Sequence, residues 1–261
     1  MALSTLIINA DDFGMSSTIN QAILSSIAEG LVTSTSIMAN MPGFDDALGL
    51  VRDHPILRGR VGVHLNLTQG RPLSAAILSH PLFCNADGSF GYARQHSLFR
   101  LTRKQQEAVY EEFRTQLERV ISAGIAPIHL DSHHHIHTEW AIAPLVRRLA
   151  REYNIPRIRL TRNMGLQPAV PKRVYKTIFN RWRLDHTERL GTTDLFGDIG
   201  DMIHFSRQGW PNDKTIEIMV HPLFDESGGL VDLDRKDLRR QLEPILRQPV
   251  TLSPKPIEIR S

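Results

Sequence analysis

His129-Leu130-Asp131-Ser132-His133-His134-His135-Ile136-His137 places five of the chain's twelve histidines within nine residues, with a carboxylate among them. Ile125, Ile128 and Leu130 lead into the stretch and a helical pattern follows from Glu139, so it reads as a buried strand opening into a loop. In an extended chain alternate side chains share a face, which puts His129, Asp131, His133, His135 and His137 together. Leu130, Ser132, His134 and Ile136 face the other way. A face of imidazole and carboxylate suits a divalent cation, because these are the ligands that borderline metals take. The alternatives are a solvated histidine-rich loop or an expression tag, and a mid-chain position behind an apolar strand fits neither.

Working outward, other polar residues also stand at the ends of apolar runs. Leu6 to Ala10 suits a central parallel strand and ends at Asp11-Asp12-Phe13-Gly14. Two adjacent carboxylates there repel one another unless a positive charge lies beside them. Ser16 or Ser17 can cap a helix whose apolar positions Ile19, Ala22, Ile23 and Ile27 keep helical spacing up to Gly30. A strand over Val32 to Met38 and a helix from about Phe44 to Arg52 follow. In the strand Val61 to Leu67, Gly62, His64 and Asn66 share a face. Taken alone His64 suits a satisfied core histidine; beside the two other clusters it suits a metal ligand.

Helices are expected from about Arg103 to Ala123 and over Ala141 to Tyr153, followed by a short strand from Pro156 to Leu160. Arg157 and Arg159 share a face of that strand, placed for a substrate oxygen or for an ordinary salt bridge. Thr215 to Pro222 is a further strand, with Glu217, Met219 and His221 on one face and His221 at its C-terminal end. Leu233 to Leu246 reads as the last helix and Pro256 to Ile259 as a final short strand. Two stretches are less regular. Thr68 to Phe99 is a long insertion placed to overhang a site. Thr161 to Phe205, helical over Lys172 to Arg189 and turn-rich over Gly191 to Asp201, is open to being a lid or a homodimer contact.

Four strands therefore carry Asp or His near their C-terminal ends, which is where parallel α/β barrels assemble their sites. No Gly-rich dinucleotide or phosphate-loop fingerprint follows the first strand. An irregular, deviated TIM-like (β/α) barrel of six to eight strands, forming one domain over residues 1–261, is the expected α/β fold. A chain of 261 residues with 41% hydrophobic residues can bury one such core. The net charge of +3 is scattered over helix faces, giving no nucleic-acid stripe. One cysteine excludes an internal disulfide. Met1 to Ala10 lacks signal-peptide character and no run approaches a membrane span, so the expectation is a cytoplasmic protein.

Five blocks carry a resemblance. Asn9-Ala10-Asp11-Asp12-Phe13-Gly14, Val32-Thr33-Ser34-Thr35, Gly62-Val63-His64-Leu65, the run from His129 to His137, and Met219-Val220-His221-Pro222 together resemble the YdjC-like carbohydrate deacetylase family, which includes chito-oligosaccharide deacetylases. The resemblance runs in order from about Leu6 to Asp225 and is weak between the blocks. It implies a deviated barrel, one divalent metal ion (Mg²⁺ or Zn²⁺), and removal of acetyl groups from N-acetylated mono- or oligosaccharides. Position by position it implies Asp12, His64 and His133 as metal ligands, Asp11 as catalytic base and His221 as general acid.

The residue types suit that chemistry. Hydrolysis of a linear amide C–N bond needs an activated water, a stabilised oxyanion and a protonated leaving amine. A metal on two His and one Asp with Asp11 and His221 beside it can meet these needs. Asp131 shares the parity of His133 and suits either orienting a ligand imidazole or His221, or a salt bridge with Arg157 or Arg159. His135 and His137 lie toward the expected mouth and are candidates for touching substrate. Phe13 is a candidate for stacking on a sugar ring or for the core. Competing functions are another metal-dependent sugar or phosphoester hydrolase or isomerase on the same barrel, and a non-catalytic sugar-binding protein. The first would turn over without acetate release, and the second has no need of both Asp11 and His221.

Overall fold

The apolar run near the start of the chain becomes the central strand of the molecule. In the computed structural model, which describes residues 3–93, 100–164, 170–180, 190–207, 209–234 and 236–253, β1 (Ser4–Phe13) is flanked by parallel neighbours on both sides. Helix α1 (Ser17–Ala28) starts at Ser16, whose hydroxyl accepts from the Ile19 backbone N–H, and carries the chain to β2 (Ser34–Ile37). After α2 (Phe44–Asp53) come β3 (Val61–Leu65), α3 (Arg103–Ser122), β4 (Leu130–Ser132) and α4 (Ala143–Glu152). The second half holds α5 (Val170–Phe179), β5 (Leu195–Asp198), α6 (Ile199–Ser206), β6 (Thr215–Val220), a hairpin of β7 (Leu223–Phe224) and β8 (Leu230–Val231), α7 (Leu238–Leu246) and β9 (Val250–Leu252).

The main sheet runs β4-β3-β2-β1-β6-β5, and every pairing in it is parallel. β9 adds to β1 along Ser4–Leu6, before β2 begins to pair at Asn9. Strands of such a sheet are covered on both faces, which is why β1 is buried along nearly its whole length and its middle reads as a short apolar run. One core, from Leu6 and Ile8 to Leu242 and Ile245, ties the sheet to its helices. The result is a single α/β unit with a parallel, half-barrel sheet. Among the described residues no helix is long and apolar enough to cross a membrane.

The histidine run departs from the extended reading. β4 stops at Ser132, and His133–Thr138 forms a 3-10 turn. His134 and His135 both take left-handed backbone angles, φ 52° and 55°, and two such residues in succession end the strand. Alternation therefore ends at Ser132, and the five polar side chains do not share one face. His129 is buried beneath Gly62, where a Cβ would lie 2.3–2.6 Å from three of its ring atoms. His137 folds back so that its Nδ1 lies 2.5 Å from Ser132 Oγ, while its backbone N–H donates to the same hydroxyl.

Gly62→Ala is accordingly expected to lower stability by about 3 kcal/mol, the upper part of the usual overpacking cost. Urea unfolding measures it; an unchanged midpoint would mean that the imidazole can move aside.

Other boundaries shift too. The stretch expected to be turn-rich, Gly191 to Asp201, contains β5 and the start of α6, a short strand obscured by Gly197 and Asp198, residue types depleted in strands. Pro156 to Leu160 makes single parallel bridges, Leu130 with Ile158 and Arg157 with Gly191, in place of a full strand. The last strand among the described residues is β9; Pro256 to Ile259, residues 94–99 of the insertion and residues 181–189 of the expected helix lie outside the described residues.

Candidate active site

Adjacent residues on a strand normally face opposite ways, so Asp11 and Asp12 share a site only through a local break. The pairing of β1 with β2 shifts register between Ala10 and Phe13, and Asp12 has φ 70°. This bulge turns Asp12 toward the loops while Asp11 stays in the interior. Phe13, next in line, is fully buried in the core, so the sugar-stacking reading fails for want of an exposed ring face.

The register of β3 and β4 sets His64 directly beside Asp131. His64 Nδ1 lies 2.7 Å from Asp131 Oδ1, which leaves Nε2 pointing at Asp12 Oδ1, 3.3 Å away. His133, first residue of the strained turn, places its own Nε2 4.0 Å from the same oxygen. Its Nδ1 is fixed by Thr68 Oγ1 at 2.6 Å, and the Asn66 side chain in turn holds Thr68. Asp12 Oδ1 is buried and has no hydrogen-bond partner. A buried carboxylate oxygen seldom goes unsatisfied, and here it faces two imidazole nitrogens that are each fixed from behind.

Behind these groups lies a second layer built on Arg159. Its Nη1 donates to Asp11 Oδ2 at 2.6 Å and its Nη2 to Asp11 Oδ1 at 2.7 Å. Nη2 also stands 2.8 Å from Asp131 Oδ2, and Nε donates to Glu217 Oε1 at 2.7 Å. Glu217 Oε2 accepts from Arg157. Asn9 donates to Asp11 and Ser36 to Asp131, completing both carboxylates. Arg159 is fully buried, so it cannot touch a substrate. Asp131 does both things its position allowed, orienting the His64 imidazole and pairing with Arg159; it does not reach His221.

His221 follows β6 and brings Nε2 to 4.0 Å from Asp11 Oδ2. The β7–β8 hairpin carries Asp232 beside it: the His221 backbone N–H donates to Asp232 Oδ1 at 2.7 Å, and the ring Nδ1 is 4.0 Å from that oxygen. Side-chain exposure grades the site. His221 is 23% exposed, Asp12 14% and His133 10%, whereas His64, Asp11, Asp131 and Arg159 are at 2% or less. An incoming molecule meets Asp12, His133 and His221. His135 is half-buried and packs edge-on against Phe196, with ring centroids 5.7 Å apart, and His137 is fully buried, which removes it from contact with an incoming molecule.

Electrostatics separate the two imidazoles. Burial disfavours a charged His64, yet Asp131, Asp12 and Asp11 around it push its pKa up to about 10. For His133 burial wins, helped by the neighbouring histidines against Asp12, and holds its pKa down to about 4. Burial also opposes ionisation of Asp11, Asp131 and Glu217, but the arginines hold all three below the ordinary carboxylate range. The carboxylates around His64 thus favour a positive charge at its Nε2, whether a proton or a metal ion in its place, whereas burial keeps the His133 imidazole neutral.

Two overlapping groups have the residue types to hold a metal. Among the described residues the first of them, Asp11, His64 and Asp131, has its ligand atoms within 4.8 Å of one another. Asp12, His64 and His133 offer the atoms just described. Thr68, Ser36, Glu217 and Asp232 had no assigned role from sequence. Only Glu217 gave a signal there, as a charge between Ile216 and Ile218 in an apolar strand.

Residues 5–247 match the family model described as YdjC-like protein. The carbohydrate deacetylase of Brevibacillus brevis is 37% identical over 221 residues, covering 84% of this chain and 81% of the relative. That of Vibrio parahaemolyticus is 37% identical over 248 residues, covering 94% and 88%. Among solved structures, an Enterococcus faecalis protein named for cellobiose-phosphate cleavage superposes with a TM-score of 0.70 at 23% identity over 97% of both chains, a likeness of fold.

Proposed function

The chain belongs to the YdjC-like family, and from that premise we propose that it is a metal-dependent carbohydrate N-deacetylase releasing acetate from N-acetylated mono- or oligosaccharides. The observation that carries the reading is the unpartnered Asp12 Oδ1 facing His64 Nε2 and His133 Nε2, with Asp11 and His221 alongside.

Asp12, His64 and His133 are the better metal group of the two. Ligand atoms about 2.0–2.2 Å from one ion stand roughly 3–4 Å apart; His64 Nε2 and His133 Nε2 stand 3.3 and 4.0 Å from Asp12 Oδ1, and the two imidazoles, with ring centroids 6.0 Å apart, would draw together around an ion. In the other group, Asp11 and Asp131 already receive Arg159, Asn9 and Ser36, and an ion would have to displace a buried guanidinium. A bound Mg²⁺ or Zn²⁺ supplies Lewis acidity toward the amide carbonyl and lowers the pKa of water.

The chain's own groups do the rest. Asp11, kept ionised by Arg159, accepts the proton of the attacking water. His221, more exposed and steadied by Asp232, delivers a proton to the departing nitrogen, so that acetate and a free amine leave. Asp131 and Thr68 hold the far nitrogens of His64 and His133, which fixes where the near ones point.

The same reading favours closure of the sheet into a deviated barrel. The bridges Leu130–Ile158 and Arg157–Gly191, with Asn163 and Met164 donating to the Phe196 carbonyl, support a connection from β4 round to β5.

The test is acetate release from a panel of N-acetylglucosamine mono- to oligosaccharides. EDTA is expected to abolish release and added Mg²⁺ or Zn²⁺ to restore it; turnover indifferent to chelator, or turnover without acetate, would sink the proposal.

A further inference from the structure

Arg159 serves both halves of the site at once, since its outer nitrogens hold Asp11 and Asp131 while only Nε remains to fix the plane of the guanidinium. That nitrogen is taken by Glu217, a charged residue in the middle of β6 with no exposed surface. The register of β6 against β1 pairs Glu217 with Ile7 and Val220 with Ala10, so Glu217 lies deeper in the sheet than Asp11 and cannot meet a ligand. Its second oxygen is held by Arg157, which fixes the carboxylate in turn. Phe196 closes the remaining side, with its ring centroid 4.9 Å from Arg159 Cζ.

We propose that Glu217 is a positioning residue for deacetylation: by pinning Arg159 Nε it aims the other two nitrogens, and through them sets both the Asp11 carboxylate and, by way of Asp131, the His64 imidazole. The geometry leaves little alternative. A guanidinium is planar and its donors are fixed relative to one another, so holding Nε in place decides where Nη1 and Nη2 point. Removal of that anchor lets the plane tilt about the long side chain, and an error of one ångström at Asp11 or at His64 Nε2 is enough to cost catalysis heavily.

The inference rests on the deacetylase reading, and its test separates the two. Glu217→Asp keeps the buried charge but withdraws the carboxylate by one methylene; Glu217→Gln keeps the length and removes the charge. If Glu217 positions Arg159, the Asp variant stays folded yet loses about tenfold to a hundredfold in kcat, with KM within about twofold. Its affinity for Zn²⁺, read by calorimetry without substrate, falls as well because His64 loses its aim. A Glu217→Asp protein with wild-type kcat and wild-type Zn²⁺ affinity overturns the inference, and so does an Asp variant that matches wild type while only Glu217→Gln is impaired, since that pattern belongs to charge balance alone. Absence of acetate release from the wild-type enzyme would defeat the deacetylase reading, while the calorimetric comparison would still decide the role of Glu217.

Discussion

Replacing Asp11 by Asn is expected to lower kcat for acetate release by roughly 10³-fold, within the range that a lost general base accounts for, while Zn²⁺ affinity stays near wild type. The two expectations come from different atoms. Asp12, His64 and His133, proposed to hold the metal, make no hydrogen bond to Asp11, whose own bonds are with Arg159 and Asn9. An Asn side chain has the same shape, and Arg159 still has Asp131 and Glu217 to neutralise it, so the variant should fold. His64→Ala, by contrast, is expected to lose metal and activity together. Calorimetric Zn²⁺ titration beside an acetate assay distinguishes the cases, and an Asp11→Asn enzyme with ordinary turnover would remove Asp11 from the role of base.

The contrast between these two variants also shows how far the sequence could be read. Asp11, Asp12, His64 and His221 announce themselves because each interrupts or ends an apolar run, and in a parallel α/β fold strand ends converge. Asp131 stood out too, though the expectation tied its parity to His133, whereas the register of β3 on β4 sets it beside His64. What strand parity could not supply is the exception to it. Asp12 joins the site through a bulge and a left-handed residue, and His133 through a 3-10 turn whose next two residues are also left-handed. Asp and His enter the left-handed region more readily than most residues, but it is the surrounding packing that selects it at these positions. The roles of Glu217, Thr68 and Ser36 were missed for a different reason: they depend on which strands become neighbours, so the charge of Glu217 in its apolar strand has no assignment, and Thr68 and Ser36 give no signal, until Arg159, His133 and Asp131 stand beside them.

Arg159→Met is expected to be the most destabilising single change in this region, costing about 3–5 kcal/mol at neutral pH, the range for breaking a buried ion pair from one side. The Met side chain fills the volume but leaves Asp11, Asp131 and Glu217 without the guanidinium they share, facing Arg157, His64 and, more distantly, His221. The pH dependence gives the mechanism away. In the wild-type protein burial alone would raise the pKa of Glu217, but Arg157 and Arg159 overcome it and hold the value below the ordinary 4.5. A carboxylate lowered on folding contributes stability above its unfolded pKa and loses it as the pH falls toward the folded value. Wild-type stability from this cluster should therefore be flat through neutrality and decline only below about pH 4.5. Without Arg159 the burial of the carboxylates is no longer outweighed, their pKa values rise, and the folded state binds protons more readily than the unfolded chain. The sign reverses, so Arg159→Met should gain on wild type as the pH is lowered from 7 to 5. Urea unfolding of both proteins across that interval measures the gap directly; a difference that stays constant or widens on acidification would show that Arg159 stabilises by packing and not by neutralising the buried carboxylates.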